Sequence, residues 1–189
     1  MTTILAVKKK NKLCIASDSL SVFGSRKEES GKHTHAEEKF FQLGKNIIGV
    51  AGHHAWDLIL KTAFSKAKEI PEWQSPQEIF DFFTAAHQTF RSEYFLTPPS
   101  LSFFPFESSE LQMLVVNSFG IFEMEYSRVV RQYARFSAIG TGEDYALGAM
   151  SAIYDLVDDA EQIAKIGIEA AAEFDLKTGA PFFFRSLSI

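Results

Sequence analysis

The feature that most constrains this chain is the order in which its apolar periodicities alternate. Residues 3–8 form a short β-rich run, and residues 12–18 alternate, with Leu13 and Ile15 on one face and Cys14 and Ala16 on the other. A two-residue period marks a half-buried strand. Lys10-Asn11 supplies a turn between the runs, so 3–18 reads as a hairpin. Residues 19–38 are polar and predict a long loop. Strands return at 39–43 and 46–51 around Gly44-Lys45.

The period then changes to that of a helix. Trp56, Ile59, Leu60, Ala63 and Phe64 recur at helical spacing. A second helix opens at Ser75-Pro76-Gln77-Glu78: Ser75 caps, Pro76 suits the first helical position, and Glu78 closes a capping box. Its apolar face is Ile79, Phe82, Phe83 and Phe90. Residues 97–108 predict a structured loop rich in Pro, Ser and Phe. Strands follow at 110–116 and 119–126 with Asn117-Ser118 as the turn, then a short one near 136–139. Helices are expected at 143–155 and 159–174, the second behind the capping run Asp158-Asp159-Ala160-Glu161, and Pro181 to Ile189 reads as a last strand.

Strands, two helices, strands, two helices, strand is an order with few solutions, because each sheet must bury its apolar faces against another layer. Two packed sheets with a helix pair outside each use every element. No boundary or repeat interrupts the 189 residues, so residues 1–189 read as a single domain. Phe is frequent, at 19, and often paired, as in Phe40-Phe41 and Phe103-Phe104. That abundance fits either a Phe-rich core or a surface that meets a partner subunit.

Other features exclude whole classes. The net charge is −5, and the lone basic run Lys8-Lys9-Lys10 is a solvated turn, so nucleic acid is not expected. Ile4-Leu5-Ala6-Val7 is too short for a signal or a span. Cys14 is the single cysteine, a core thiol, which fits a reducing, cytoplasmic setting. Gly140-Thr141-Gly142 lacks the further residues of a nucleotide loop. His53-His54 reads as a loop-to-helix junction and His33-x-His35 as solvated loop, so neither a cofactor nor a metal is expected.

The chemistry lies at the chain start. A Thr hydroxyl needs a base to become a nucleophile. Once Met1 is removed, the α-amine of Thr2 can be that base, because its reference pKa of about 7.7–8.0 is near working pH. A nearby cation lowers it further. Asp18 ends the second strand opposite the chain start, Lys39 opens the third, and Gly52 ends the fourth, where its N–H can face an oxyanion.

These residues stand in blocks that resemble proteasome β subunits and their bacterial relative, the peptidase subunit of the ATP-dependent heat-shock protease. The blocks are Thr2-Thr3-Ile4-Leu5-Ala6-Val7, Ala16-Ser17-Asp18-Ser19, Lys39-Phe40-Phe41-Gln42-Leu43 with Ile48-Gly49-Val50-Ala51-Gly52, Ala138-Ile139-Gly140-Thr141-Gly142 with Tyr145-Ala146, and Asp175-Leu176-Lys177-Thr178-Gly179. The resemblance implies an α+β fold, the four-layer αββα sandwich of two antiparallel sheets flanked by helix pairs. It implies peptide-bond hydrolysis by Thr2, with Lys39 lowering the amine pKa, Asp18 pairing with Lys39, and Gly52 as oxyanion donor. Thr141, Asp175 and Thr178 would hold the amine and its proton relay. Thr141 and Thr178 stand where the family usually has Ser, and the segment between Asp18 and Lys39 is longer than expected. Met1 directly before Thr2 implies a start without a propeptide, which resembles the heat-shock relative. The implied partners are peptide or unfolded-protein substrates, identical subunits in a six- or seven-fold double ring, and an ATPase unfoldase, with no membrane. Two alternatives remain at this point: an inactive ring serving as scaffold or binding chamber, and a hydrolase of small amides.

Overall fold

In the computed structural model, which describes residues 2–29, 31–32, 34–35, 37–65, 69–96, 107–109 and 111–189, the first alternating run is a hairpin. β1 (Thr3–Lys9) and β2 (Lys12–Ser17) pair antiparallel with Val7 opposite Cys14. Lys10 turns between them at φ 54°. The polar stretch that follows is not all loop. β3 (Ser21–Phe23) and β4 (Arg26–Glu28) form a ribbon around Gly24, in strands too short for a period to register. β5 (Phe40–Leu43) and β6 (Asn46–Ala51) close around Gly44. Gly44 has φ 60°, and a Cβ there would lie 2.7 Å from the Ile70 carbonyl oxygen.

α1 (Ala55–Ser65) and α2 (Pro76–Glu93) follow. Ser75 caps α2 by accepting the Glu78 N–H at 3.3 Å. The expected capping box differs in its second half, because Glu78 accepts from the Gln74 N–H, one residue before the cap. β7 (Gln112–Asn117) and β8 (Gly120–Met124) turn at Ser118-Phe119, one residue later than expected. The reason is that Asn117 is buried within the strand, donating to Asn46 Oδ1 and the Trp73 carbonyl, both at 2.8 Å. β9 (Val130–Tyr133) was not expected. It is an edge strand with Arg131 and Gln132 exposed, so it lacks an apolar face. β10 (Phe136–Gly140), α3 (Glu143–Ile153), α4 (Ala160–Phe174) and β11 (Phe183–Ser188) complete the chain. Asp159 caps α4 through the Glu161 N–H. The loop expected at 97–108 lies outside the described residues apart from Glu107 and Ser108.

The strands form two antiparallel sheets, ordered β10-β1-β2-β11 and β5-β6-β7-β8-β9, besides the β3–β4 ribbon. Alternation along β1 sorts the layers. Ile4 and Ala6 point between the sheets, onto Ile47, Leu114 and Val116. Leu5 and Val7 point outward, onto Met150, Ile163 and Ile168 of α3 and α4. The outer face of the second sheet meets Trp56, Leu60, Ile79, Phe83 and Phe90 of α1 and α2. Each such large side chain contributes about 1.5–3 kcal/mol on full burial. The result is the helix–sheet–sheet–helix sandwich. Part of the Phe content is core: Phe82 and Phe83 meet Trp73 at centroid distances of 4.9 and 5.6 Å. Phe80, Phe95, Phe119 and Phe174 are exposed.

Candidate active site

The first hairpin and β5 bring one end of the sandwich together around the chain start. Thr2 is buried just before β1, and Asp18, fully buried, follows β2. The Asp18 N–H donates to the Thr3 carbonyl at 3.1 Å, and the Thr3 N–H donates to Asp18 Oδ1 at 2.9 Å. Asp18 Oδ2 accepts from the backbone N–H groups of Leu20 and Gly179. Lys39 stands just before β5, its backbone N–H donating to Ser17 Oγ at 3.2 Å. Its Nζ reaches Asp18 Oδ1 and the Leu20 carbonyl, both at 2.8 Å.

Burial lowers the pKa of Lys39 from its ordinary value, and Asp18's charge opposes that fall. Burial likewise raises Asp18, against the charge and hydrogen bonds of Lys39. Water is too scarce to screen either ion, so each depends on the other.

A second cluster lies behind the chain start. Thr141 Oγ1 and Thr178 Oγ1 each donate to Asp175 Oδ2 at 2.6 Å. Burial pushes Asp175 upward, but these hydroxyls and the Lys177 N–H outweigh it and hold the carboxyl below its ordinary value. The cluster meets the chain start at two points. The Thr141 N–H donates to the Thr2 carbonyl at 3.0 Å. Thr3 Oγ1 lies 2.5 Å from Thr178 Oγ1 and accepts the Gly142 N–H at 3.1 Å. Because Thr178 gives its proton to Asp175, Thr3 donates in the Thr3–Thr178 bond. A directed chain results: Gly142 N–H to Thr3, Thr3 to Thr178, Thr178 to Asp175.

Thr3 and Gly142 were not singled out from the sequence as site residues. Thr3 had a readable signal: it shares a strand face with Leu5 and Val7, and a hydroxyl on a core face needs a partner. Two glycines allow the approach. A Cβ at Gly140, φ 94°, would fall 1.9 Å from the Thr2 carbonyl oxygen, and one at Gly142 would fall 2.5 Å from Thr3 Oγ1.

Gly52, φ 141°, is exposed just beyond β6. With Thr2 and Lys39 it borders a cavity of about 590 Å³, whose wall includes His35, His53 and His54. His53 Nδ1 accepts the Ala55 N–H at 3.2 Å, at the loop-to-helix junction before α1. His33 lies outside the described residues. Among the described residues no group of three His, Cys, Asp or Glu could hold a metal ion, and no helix is long and apolar enough to cross a membrane. Cys14 is buried, and burial pushes its thiol up to about 11, too high for a reactive thiolate at neutral pH.

Two antiparallel sheets face to face between helix pairs, with the chain start emerging from a central strand beside a buried Asp–Lys pair, define the sandwich of N-terminal-nucleophile hydrolases. No protein-family model matches the chain, and no curated protein does. Solved structures do match. Thiobacillus denitrificans BPH is 33% identical over 98% of this chain and 97% of its own, with a TM-score of 0.89. The same protein in complex with epoxomicin matches at 33% identity over 98% of each chain, also at 0.89. The eukaryotic HslV from Trypanosoma brucei is 20% identical over 99% of each chain, with a TM-score of 0.66, a likeness of fold. The chain belongs to the proteasome-type N-terminal-nucleophile hydrolase family.

Proposed function

We propose that this chain is a threonine endopeptidase, active once Met1 is removed and Thr2 carries a free α-amine. The observation that carries the reading is the buried Asp18–Lys39 pair, bonded at 2.8 Å, on a cavity that Thr2 and Gly52 also border. Thr2 Oγ1 attacks the scissile carbonyl carbon, and the α-amine takes the hydroxyl proton. Lys39 supplies the cation that keeps this amine neutral near pH 7, and Asp18 holds Lys39 in place. The Gly52 N–H stabilises the oxyanion. The ammonium then protonates the leaving amine, and the C–N bond breaks to leave an ester on Thr2. Water, deprotonated by the same amine, hydrolyses that ester. Thr141, Thr178 and Asp175 orient the chain start and relay its proton.

The BPH complex with epoxomicin, a threonine-protease inhibitor, supports this chemistry in a relative 33% identical. We further propose that residues 1–189 act as one domain, in the cytoplasm, in a homo-oligomeric double ring that hydrolyses peptides and takes unfolded protein from an ATPase. Intact mass before and after a peptide epoxyketone tests the site, because the reagent condenses with a hydroxyl and a free adjacent amine. A Met-less chain should gain one adduct, lost in Thr2→Ala. A Met-less chain that stays unmodified and hydrolyses no peptide would leave an inactive ring instead.

A further inference from the structure

The cavity beside Thr2 has a charge pattern that the hydrolytic chemistry does not use. Four carboxylates border it, those of Glu28, Glu37, Glu38 and Asp57. The only Lys or Arg on its wall among the described residues is Lys39, whose ammonium is already engaged by Asp18 at 2.8 Å. Three of the carboxylates have cationic partners: Glu28 with Arg26 at 2.8 Å, Glu38 with Arg185 at 2.7 Å, and Asp57 with Lys61 at 2.7 Å. None of those three cationic residues borders the cavity. Glu37 is exposed and makes no ion pair with any described residue. His54 stays neutral at pH 8, since burial and then neighbouring positive charge, Lys39 included, lower it from the ordinary histidine value.

The same wall carries apolar surface from Val50 and Leu58. A carboxylate-rimmed cavity with an apolar side suits one kind of side chain: a long aliphatic stem ending in a cation. Thr2 and Gly52 both border the cavity, so the residue whose carbonyl is attacked places its side chain there. We infer that this cavity selects Lys or Arg immediately before the scissile bond, with Glu37 as the principal specificity residue. Val50 and Leu58 take the stem. An acidic side chain meets the like charge of Glu37 and is rejected. The inference rests on the threonine-peptidase reading above and adds its substrate class.

The test uses the full-length, Met-less protein and three peptide epoxyketones identical except for Arg, Leu or Glu at the residue bearing the warhead. Adduct formation is followed by intact mass at pH 8. The Arg reagent should react about tenfold faster than the Leu reagent, and the Glu reagent slowest. Raising salt from about 0.05 to 0.5 M should shrink the Arg advantage, because the Debye length falls about threefold. In Glu37→Gln the Arg-to-Leu ratio should fall toward unity, and in Glu37→Lys the Glu reagent should overtake the Arg reagent. The salt series on the unmutated protein keeps the inference testable should either variant fail to fold. Equal rates, or a Leu or Glu preference, would overturn the specificity and leave the peptidase reading standing. No adduct with any of the three would bring down the peptidase reading and this inference with it.

Discussion

Replacing Thr3 by Val keeps the shape and β-branching of the side chain and removes one oxygen. That oxygen is fully buried, accepts the Gly142 N–H at 3.1 Å and shares a proton with Thr178 at 2.5 Å. Its loss leaves a buried N–H without an acceptor and a hydroxyl oxygen without a donor. An orphaned buried group costs about 1–3 kcal/mol. The new methyl recovers little, because it takes the place of an oxygen that lies 2.5 Å from Thr178 Oγ1 and 3.1 Å from the Gly142 nitrogen, closer than a methyl packs. We expect a net loss of about 2 kcal/mol, read as a fall of about 4–8 °C in Tm for a chain of this length. Protein concentration must be fixed, since the proposed assembly would make Tm depend on it. Thr178 loses its anchor to β1, so epoxyketone adduct formation should slow by about tenfold to hundredfold through misplacement of the chain start. Thr3→Ser keeps the oxygen and should restore both. A Thr3→Val protein matching the parent within about 1 °C and in adduct rate would refute the role of this hydroxyl chain.

Further outcomes are expected. Thr2→Ala should lose at least about 10³-fold in peptide kcat/KM while the far-UV circular dichroism stays unchanged. Lys39→Ala should abolish turnover and destabilise the fold by about 3–5 kcal/mol in urea titration, because Asp18 is left charged and unpaired. Adding Asp18→Asn to that variant should recover stability and no activity. Gly140→Ala should fail to give soluble protein, since its Cβ would fall 1.9 Å from the Thr2 carbonyl oxygen. Asp175, held below its ordinary value by two hydroxyls, contributes stability that is present above the unfolded carboxyl pKa. That contribution is lost as pH falls through the lower folded value, so acid unfolding below about pH 4 should be shallower in Asp175→Asn.

What the sequence made legible follows from which interactions repeat. Sheet faces and helix faces are periodic, so the hairpin at 3–18, the α2 cap at Ser75 and the alternation of strand and helix blocks are all legible in the sequence alone. The β3–β4 ribbon and edge strand β9 could not, because neither buries a repeating apolar face and each is defined by its hydrogen-bonding partner. The site divides the same way. Its residue types stand in recognisable blocks, but what joins them is long-range: Asp18 meets Lys39 across 21 residues, and Thr3 meets Thr178 across 175.

The two clusters solve opposite electrostatic problems on either side of one strand end. Around Asp175 the donors win over burial, and the carboxylate stays charged and fixed, as suits a group that orients hydroxyls. Around Lys39 burial prevails over the opposing charge of Asp18, and the ammonium is held below its ordinary pKa. On the proposed reading, a cation in that condition would exert its field on the Thr2 amine without the screening that bulk water would impose. The Thr141 N–H beside the Asp175 cluster anchors the carbonyl side of Thr2, and on the proposed reading Lys39 acts on its amine side. Both depend on the Thr3 backbone and hydroxyl for their spacing. The second residue of the Thr2-Thr3 pair is therefore as much part of the site's architecture as the first is, on the proposed reading, of its chemistry.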